Sequence, residues 1–445
     1  IQDGAAISIV NRTGYKGLGT ITVTGGKFTA KTGNDAIKAY TWANQTESVW
    51  TNAGEKINVS GGTFSRPVDE ALCKDGFIPT STTEDGVTTY GVKKGSYVAT
   101  VTLADGTVTS YEKVTDAVSA LKDGATLKLL QDYTSNDALR IFPGMGSVTI
   151  DLGGHKVTQT SGLAMYINHG VGTTKNLVIT VKNGELISGS GVALRASAHE
   201  NHLTKIVLDG VTLTASDGTY PLDIQDNAYI CYTNEAEVLK LIGTGYAVTL
   251  KDGTNAAFGI KNGLLGAADM LSAEDGGTVK LLADYEGKEL MNYNRTANPI
   301  TIDLNGKTYT YTGTKDTVLG LERPNMTLTI MNGTIIGNCA YTVSAIYNPN
   351  GPTTSSANNL KLTLDNVKLV AKNGSGLGLN GMLTGDIKVT VKNSSVIEAK
   401  NTGIYYPSVG MLTIEDSTIT AANGVQICAG SMKITNPTIT ANGAD

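Results

Sequence analysis

The 445-residue sequence has only four cysteines, ten prolines and two tryptophans. Cys73, Cys231, Cys339 and Cys428 lie far apart, with no CxxC and no paired spacing. That pattern argues against a disulfide framework and against a zinc site, and leaves free or buried thiols. Charge is also sparse, at 17% Asp, Glu, Lys and Arg, with a net −5 and the two signs interspersed. Such a surface suits neither nucleic acid nor an anionic membrane. No stretch approaches the roughly 18–20 apolar residues of a membrane-spanning helix. The Leu, Glu, Lys and Ala runs that helices favour are missing too. There is no initiator Met and no signal peptide; the chain opens on "IQDGAAISIV" as if cut from something longer. The absence of a targeting segment therefore carries no information about location.

What the chain has instead is glycine, 53 residues of it, among Thr, Val and Asn. One phrase recurs: alternating apolar and polar residues, a Gly, Asn or Asp pair, then more alternation. It reads "TITVTGGKFTA" from Thr20, "KINVSGGTFSR" from Lys56, "LVITVKNGELI" from Leu177 and "KIVLDGVTLTA" from Lys205. It returns as "LTIMNGTII" from Leu328, "KLTLDNVKLVA" from Lys361 and "KVTVKNSSVIE" from Lys388. The last copies are "LTIEDSTITAA" from Leu412 and "MKITNPTITAN" from Met432. A period of two means a strand with one buried face, and the central residues tolerate the left-handed backbone of a sharp bend.

The residue before each bend serves as a marker: Leu152, Val181 and Leu208, then Ile330, Leu364, Val391, Ile414 and Ile434. Subtracting neighbours gives steps of 29 and 27, then 34, 27, 23 and 20. Repeats of this length predict a solenoid, in which each coil buries its inner face on the next. A two-sheet sandwich also uses alternating strands, but does not explain why bend chemistry recurs at one place in each repeat. The fold expected is all-β, a right-handed parallel β-helix.

A longer period lies above the coils. "TIDLGGHKVTQTSG" from Thr149 returns as "TIDLNGKTYTYTG" from Thr301, and "TLKLLQDY" from Thr126 returns as "TVKLLADY" from Thr278. Both pairs are offset by 152 residues, and "VTLADGT" at Val101 returns as "VTLKDGT" at Val248. "YEKVTDAVSALKDG" predicts a short amphipathic helix with Val114, Ala117, Val118 and Leu121 on one face, and "KNGLLGAADMLSAEDGG" is its counterpart. Each unit thus reads as a hairpin, a helix capping the first coil, then a run of coils. The boundaries expected are residues 1–95 for the tail coils of a preceding unit plus an exit segment, 96–244 for one unit and 245–445 for a second. Joining Asp445 to Ile1 would put Ile434 and Val23 34 residues apart, equal to an internal step. The expectation is one period of a tandem array, or ends that stack on neighbouring copies.

The combination "TDAVSALKDGATLKLLQDY…VTIDLGGHKVT", preceded by "VSGGTFSRPVDEALCKDGFIPT", resembles the repeat regions of large cell-surface, adhesin-like proteins of Gram-positive gut bacteria. The resemblance covers most of the chain. It implies right-handed parallel β-helices on the bacterial surface, and no catalytic residues come with it. The sequence contains no LPxTG-like anchor, so wall attachment is implied by the resemblance alone.

Right-handed β-helices also host pectin-degrading enzymes, so a carbohydrate-active or glycan-binding protein is the alternative. Hydrolysis needs two carboxylates roughly 5–10 Å apart, contributed here by matching positions on neighbouring coils. Asp151 and Asp303 stand one residue before the marker of their repeats, where the other repeats carry Thr180, Val207, Thr329 and Thr363. The acid is expected to lack a partner and to bind the backbone of the bend. His155 becomes Lys307 in the second copy, unlike a catalytic base. "INHG" puts His169 in a turn, and "HENH" puts His199, Glu200 and His202 in a solvated loop without helical HExxH geometry. Asp217, Asp223 and Asp226 in "SDGTYPLDIQDN" form a weak calcium candidate. Binding residues are sought among aromatics: Tyr40, Trp42 and Trp50 around an excursion between coils, and Tyr405 and Tyr406. Tyr309 and Tyr311 alternate beside "NGK". Thr-x-Thr phrases occur but do not line up into an ice-binding face.

The reading is a non-enzymatic extracellular stalk, fibre or surface-layer module with no cofactor. Its expected partners are copies of itself end to end and host or cell-wall glycans, with no nucleic acid and no membrane insertion.

Overall fold

A computed structural model describes residues 4–443 except 13, 16–18, 51–52, 96, 171, 199–201, 217, 251, 262–276, 292–298, 322 and 346–356. The chain is all-β with long parallel sheets, an arrangement compatible with a β-helix or solenoid. Two short helices stand out among the described residues: α1 (Val114–Ser119) and α2 (Glu235–Ile242). The helical counterpart expected after residue 261 lies outside the described residues.

The dominant sheet runs from Ala99–Thr102 to Thr438–Ala441 and is mostly parallel. Its register stacks like on like. Leu127 faces Ile150, which faces Val181, which faces Leu208. In the second half, Val279, Ile302, Ile330, Leu364, Val391, Ile414 and Ile434 form one unbroken column. Alternate side chains point to one face of a strand, so a matched register puts every apolar position into the same layer. Within that layer Leu412, Ile414 and Ile419 are wholly buried. Each contributes about 1.5–3 kcal/mol, whereas ordering some twenty residues costs about 1–2 kcal/mol apiece. A single repeat therefore depends on the neighbours above and below it.

The register corrects one sequence assignment. Asp151 faces Lys182, and Ile150, rather than Leu152, is the partner of Val181. The first step is thus 31 residues, because the bend after Asp151 is two residues longer than the one after Lys182 that it stacks on.

Two smaller parallel sheets run alongside. One stacks Leu139, Met165, Leu194 and Leu222; the other stacks Leu319, Val343, Leu377, Ile404 and Val425. Glycine makes the second possible. A Cβ on Gly403 would meet the Ile419 side chain and the Gly424 carbonyl of the next repeat, and Gly376 and Gly424 stand in the same relation to Ile397 and Ile439.

Each half opens on an antiparallel hairpin, Ala99–Thr102 with Val108–Tyr111 and Tyr246–Thr249 with Asn255–Phe258. The first strand of each pairs antiparallel with the strand opening its parallel ladder. Helix α1 buries Val114, Ala117 and Val118 between the first hairpin and that ladder. Strand Ala228–Tyr232 pairs antiparallel with Asn255–Phe258, so the sheet crosses residue 244 without a break. Strands before residue 95 form their own sheets, ending in a long hairpin, Phe77–Glu84 with Val87–Lys94. That hairpin occupies what the sequence presents as an exit segment.

Candidate functional site

The excursion between Ile37 and Trp50 is a β-hairpin. Strand Ile37–Ala43 continues a parallel ladder with Ile7–Arg12, then folds back on Thr46–Val49. Asn44 and Gln45 turn it, both left-handed at φ 50° and 60°, as a two-residue type I′ connection requires. The returning strand is exposed along its whole length, and Val49 is 84% exposed.

Beneath this hairpin lies a groove of about 580 Å³, within the range of small-ligand sites. Its apolar lining comes from Ile37, Ala53, Val68 and Leu72, its aromatic lining from Tyr40 and Trp50, and its charged lining from Asp35, Lys38, Glu47 and Asp69. The Lys38 ammonium sits 2.9 Å from the Glu47 carboxylate and 4.9 Å from the centre of the Tyr40 ring. The Asp69 carboxylate accepts the Ala71 N–H at 3.0 Å, capping the short turn Glu70–Leu72 that closes one wall. Behind that turn, burial together with the charges of Glu70 and Asp69 pushes the Cys73 thiol up to about 12. The thiol stays protonated and is a poor nucleophile.

The sequence-nominated aromatics separate. Tyr40 and Trp50 meet in the groove, although Tyr40 is buried rather than exposed because its ring lies under the hairpin. Trp42 is half-buried in register with Arg12 and Glu47 and does not line the groove. Tyr405 is half-buried on the last five-stranded sheet, far along the chain. Tyr406 corrects the surface assignment: it is wholly buried, donating to the Val409 carbonyl at 3.3 Å, and burial pushes its hydroxyl up to about 12. Tyr309 and Tyr311 are core residues too. Lys38, Glu47 and Asp69 were missed; the signal for the first two was the alternation in "IKAYTWANQTESV", which spells a hairpin.

The acidic candidates are engaged elsewhere. Asp151 Oδ1 accepts the Gly153 N–H at 2.9 Å and the Asn183 amide at 3.1 Å, and Lys182 lies 3.5 Å from Oδ2. Partial burial pushes this carboxyl up, but those three donors outweigh it and hold it below the usual range. Asp303 repeats the bend, accepting from Asn305 N at 2.8 Å. The expectation that no acid recurs at this position fails: the column reads Asp151, Lys182, Asp209 in one half and Asp303, Met331, Asp365, Lys392 in the other. Within these columns no two acids occupy adjacent steps, and Lys392 lies 3.2 Å from Asp365.

His155 contacts Asp132 at 3.3 Å, and Asp132 accepts the Lys156 N–H at 3.0 Å. Asp284 accepts Thr308 N in the same way at 2.7 Å, so the bond survives the replacement of His155 by Lys307. His169 is buried, with Nδ1 3.4 Å from Thr204 Oγ1, instead of in an open turn. His202 is half-buried, while His199 and Glu200 lie outside the described residues. Of the calcium candidates, Asp223 is bound to Arg195 at 2.8 Å and to Gln225 at 2.7 Å, Asp226 occupies a left-handed turn, and Asp217 lies outside the described residues. Among the described residues no three His, Cys, Asp or Glu side chains converge on a metal position. No helix of the described residues is long and apolar enough to cross a membrane.

No family model, no curated protein and no solved structure matches this chain.

Proposed function

We propose that this chain is a non-enzymatic structural or adhesive module, a right-handed parallel β-helix in tandem units that serves as a stiff stalk, fibre or surface-layer element. The observation that carries this reading is the column from Val279 to Ile434, seven apolar residues in continuous parallel register. A stack of that kind resists bending because each coil is hydrogen-bonded to the next along its length. The extracellular bacterial-surface location rests on the resemblance of its repeat phrases to adhesin-like proteins. Stacking on further copies and contact with host or cell-wall glycans belong to the same reading. Its non-enzymatic part is supported by the acids of the bends, which contact lysines and backbone donors instead of facing one another. Electron microscopy of the 445-residue chain tests it. The expected particle is a rod lengthening by about 4.8 Å per coil. Two facing antiparallel sheets would overturn it.

A second reading, glycan binding, is favoured by the half-buried Trp50 lining one groove with Lys38 and Glu47. Aromatic faces stack on sugar rings while charged groups select hydroxyls. Titrating soluble polysaccharides against Trp fluorescence should give saturable binding that Trp50→Ala weakens at least about tenfold. A response identical in Trp50→Ala would remove the groove from consideration.

A further inference from the structure

The four-stranded parallel sheet of the first half is built from Leu139–Ile141, Met165–His169, Leu194–Ala198 and Leu222–Gln225. Its strands bury Leu139, Met165, Leu194 and Leu222, so alternation turns the residue after each to the outer face. Those residues are Arg140, Tyr166, Arg195 and Asp223, and the register stacks them in one column. Arg140 is exposed, and its guanidinium lies over the Tyr166 ring, 5.7 Å from the centroid. Arg195 is tied to Asp223, Nε to Oδ2 at 2.8 Å, and Gln225 donates to the same oxygen at 2.7 Å. Among the described residues Arg140 has no carboxylate partner, only its ring contact. Phe142, two residues further along the same strand direction, is 43% exposed.

This column is not a requirement of the fold. The five-stranded sheet of the second half, from Thr317–Gly320 to Asn423–Ile427, contains no Arg, Lys, Asp or Glu at all. In the first half Asp223 compensates Arg195, and the sheet holds no second acid for Arg140. The face therefore carries one uncompensated positive charge on a chain whose net charge is −5. A ring contact leaves guanidinium N–H groups available, and the planar fork matches a carboxylate in a bidentate pair. Tyr166 and Phe142 add aromatic surface of the kind that stacks on sugar rings. Successive strands of the column are about 4.8 Å apart, close to the length that one ring adds to an extended polysaccharide.

We propose that this face binds an acidic polysaccharide, with the carboxylate of one uronic acid residue on Arg140 and neighbouring rings laid along the column on Tyr166 and Phe142. The inference rests on the glycan contact in the reading above, but it uses a different face from the groove beneath the hairpin. Charge selects the carboxylate: a neutral sugar would leave the Arg140 fork to water. The same arrangement favours a sugar chain over an acidic peptide. A run of carboxylates laid along the column would meet Asp223, whereas a single carboxylate beside ring faces meets only Arg140 and the aromatics.

Titration calorimetry of the 445-residue chain with soluble polygalacturonate, in calcium-free buffer at low salt, tests the proposal. Saturable binding is expected, and the fully methyl-esterified polymer should bind at least about tenfold more weakly. Arg140→Gln should weaken binding of the acid form by at least about tenfold, and added salt should weaken it further in the parent. Arg140→Lys should stay closer to Arg140→Gln than to the parent, because an ammonium does not make the bidentate pair. The side chain is exposed, so circular dichroism of both variants should match the parent. Trp50→Ala should bind polygalacturonate as the parent does. Equal binding of acid and ester, parental affinity in either Arg140 variant, or poly-glutamate binding as tightly as polygalacturonate would each overturn the proposal. Binding lost in Trp50→Ala but kept in Arg140→Gln would exclude this face and leave the glycan reading at the groove. No binding to either form of the polymer would overturn this face while leaving neutral glycans to the groove.

Discussion

Asparagine at the bends does two jobs with one side chain. Asn183, Asn332, Asn366, Asn393 and Asn436 all have φ between 51° and 58°, where most L-residues are strained. Their amides also bridge steps: Asn366 donates to Asn332 at 3.2 Å, Asn393 to Asp365 at 2.7 Å and Asn436 to Asp416 at 2.8 Å. Asn393→Val should destabilise the chain by about 2 kcal/mol, from the backbone strain and the lost bond together. Asn393→Gly should recover most of the strain, and urea midpoints of the three proteins separate the two contributions. Histidine gives a pH signature. Burial lowers His169 to about 4 from an ordinary 6.5, so between those values the unfolded chain binds a proton that the folded chain refuses. Stability should therefore fall as pH drops from 6.5 towards 4, by at most about 3 kcal/mol. His169→Gln should remove that slope. The Asn bends were legible in sequence because they are local; the burial of His169 was not, because it ends a strand, Met165–His169, and its ring meets the distant Thr204.

At the scale of elements, period-2 alternation identifies the strands, and stacking explains why they persist despite many glycines. Gly403 is required by its neighbours, not by its own dihedral angles. In Gly403→Ala the new methyl would press on Ile419 and on the Gly424 carbonyl, and the cost should be about 1–3 kcal/mol in thermal or urea unfolding. The same change at Gly154, whose Cβ would meet nothing, should cost only the strain of its left-handed φ of 84°. What misled the sequence alignment was the longer bend after Asp151, because "DLGG" offers two places for the marker. Hydrogen bonding between strands, an interaction across 31 residues, decides between them. The same decision converts a supposedly isolated acid into one rung of an acid–lysine column.

Among the described residues of the whole molecule three apolar clusters form, and the one that holds Leu127 meets the one that holds Ile302 where Ala228–Tyr232 pairs with Asn255–Phe258. Ala257 is wholly buried at that seam. Ala257→Lys should uncouple the halves, splitting one cooperative calorimetric transition into two; a single transition with a lower midpoint would mean that the halves do not fold separately. The 152-residue duplication was visible in "TIDLGGHKVT" and "TIDLNGKTYT" because identical ladders impose identical alternation. Which tyrosines face water was not visible, since Tyr40, Tyr309, Tyr311 and Tyr406 look alike in a strand pattern and all are buried. By itself the sequence determined the strands, the bends and their repetition, all of which follow from side-chain alternation and backbone preference over a few residues. Only the tertiary structure decided the register between strands, the groove beneath the hairpin and the pairing of each acid. Those depend on atoms brought together from 20 to 50 residues away, where local preference exerts no force.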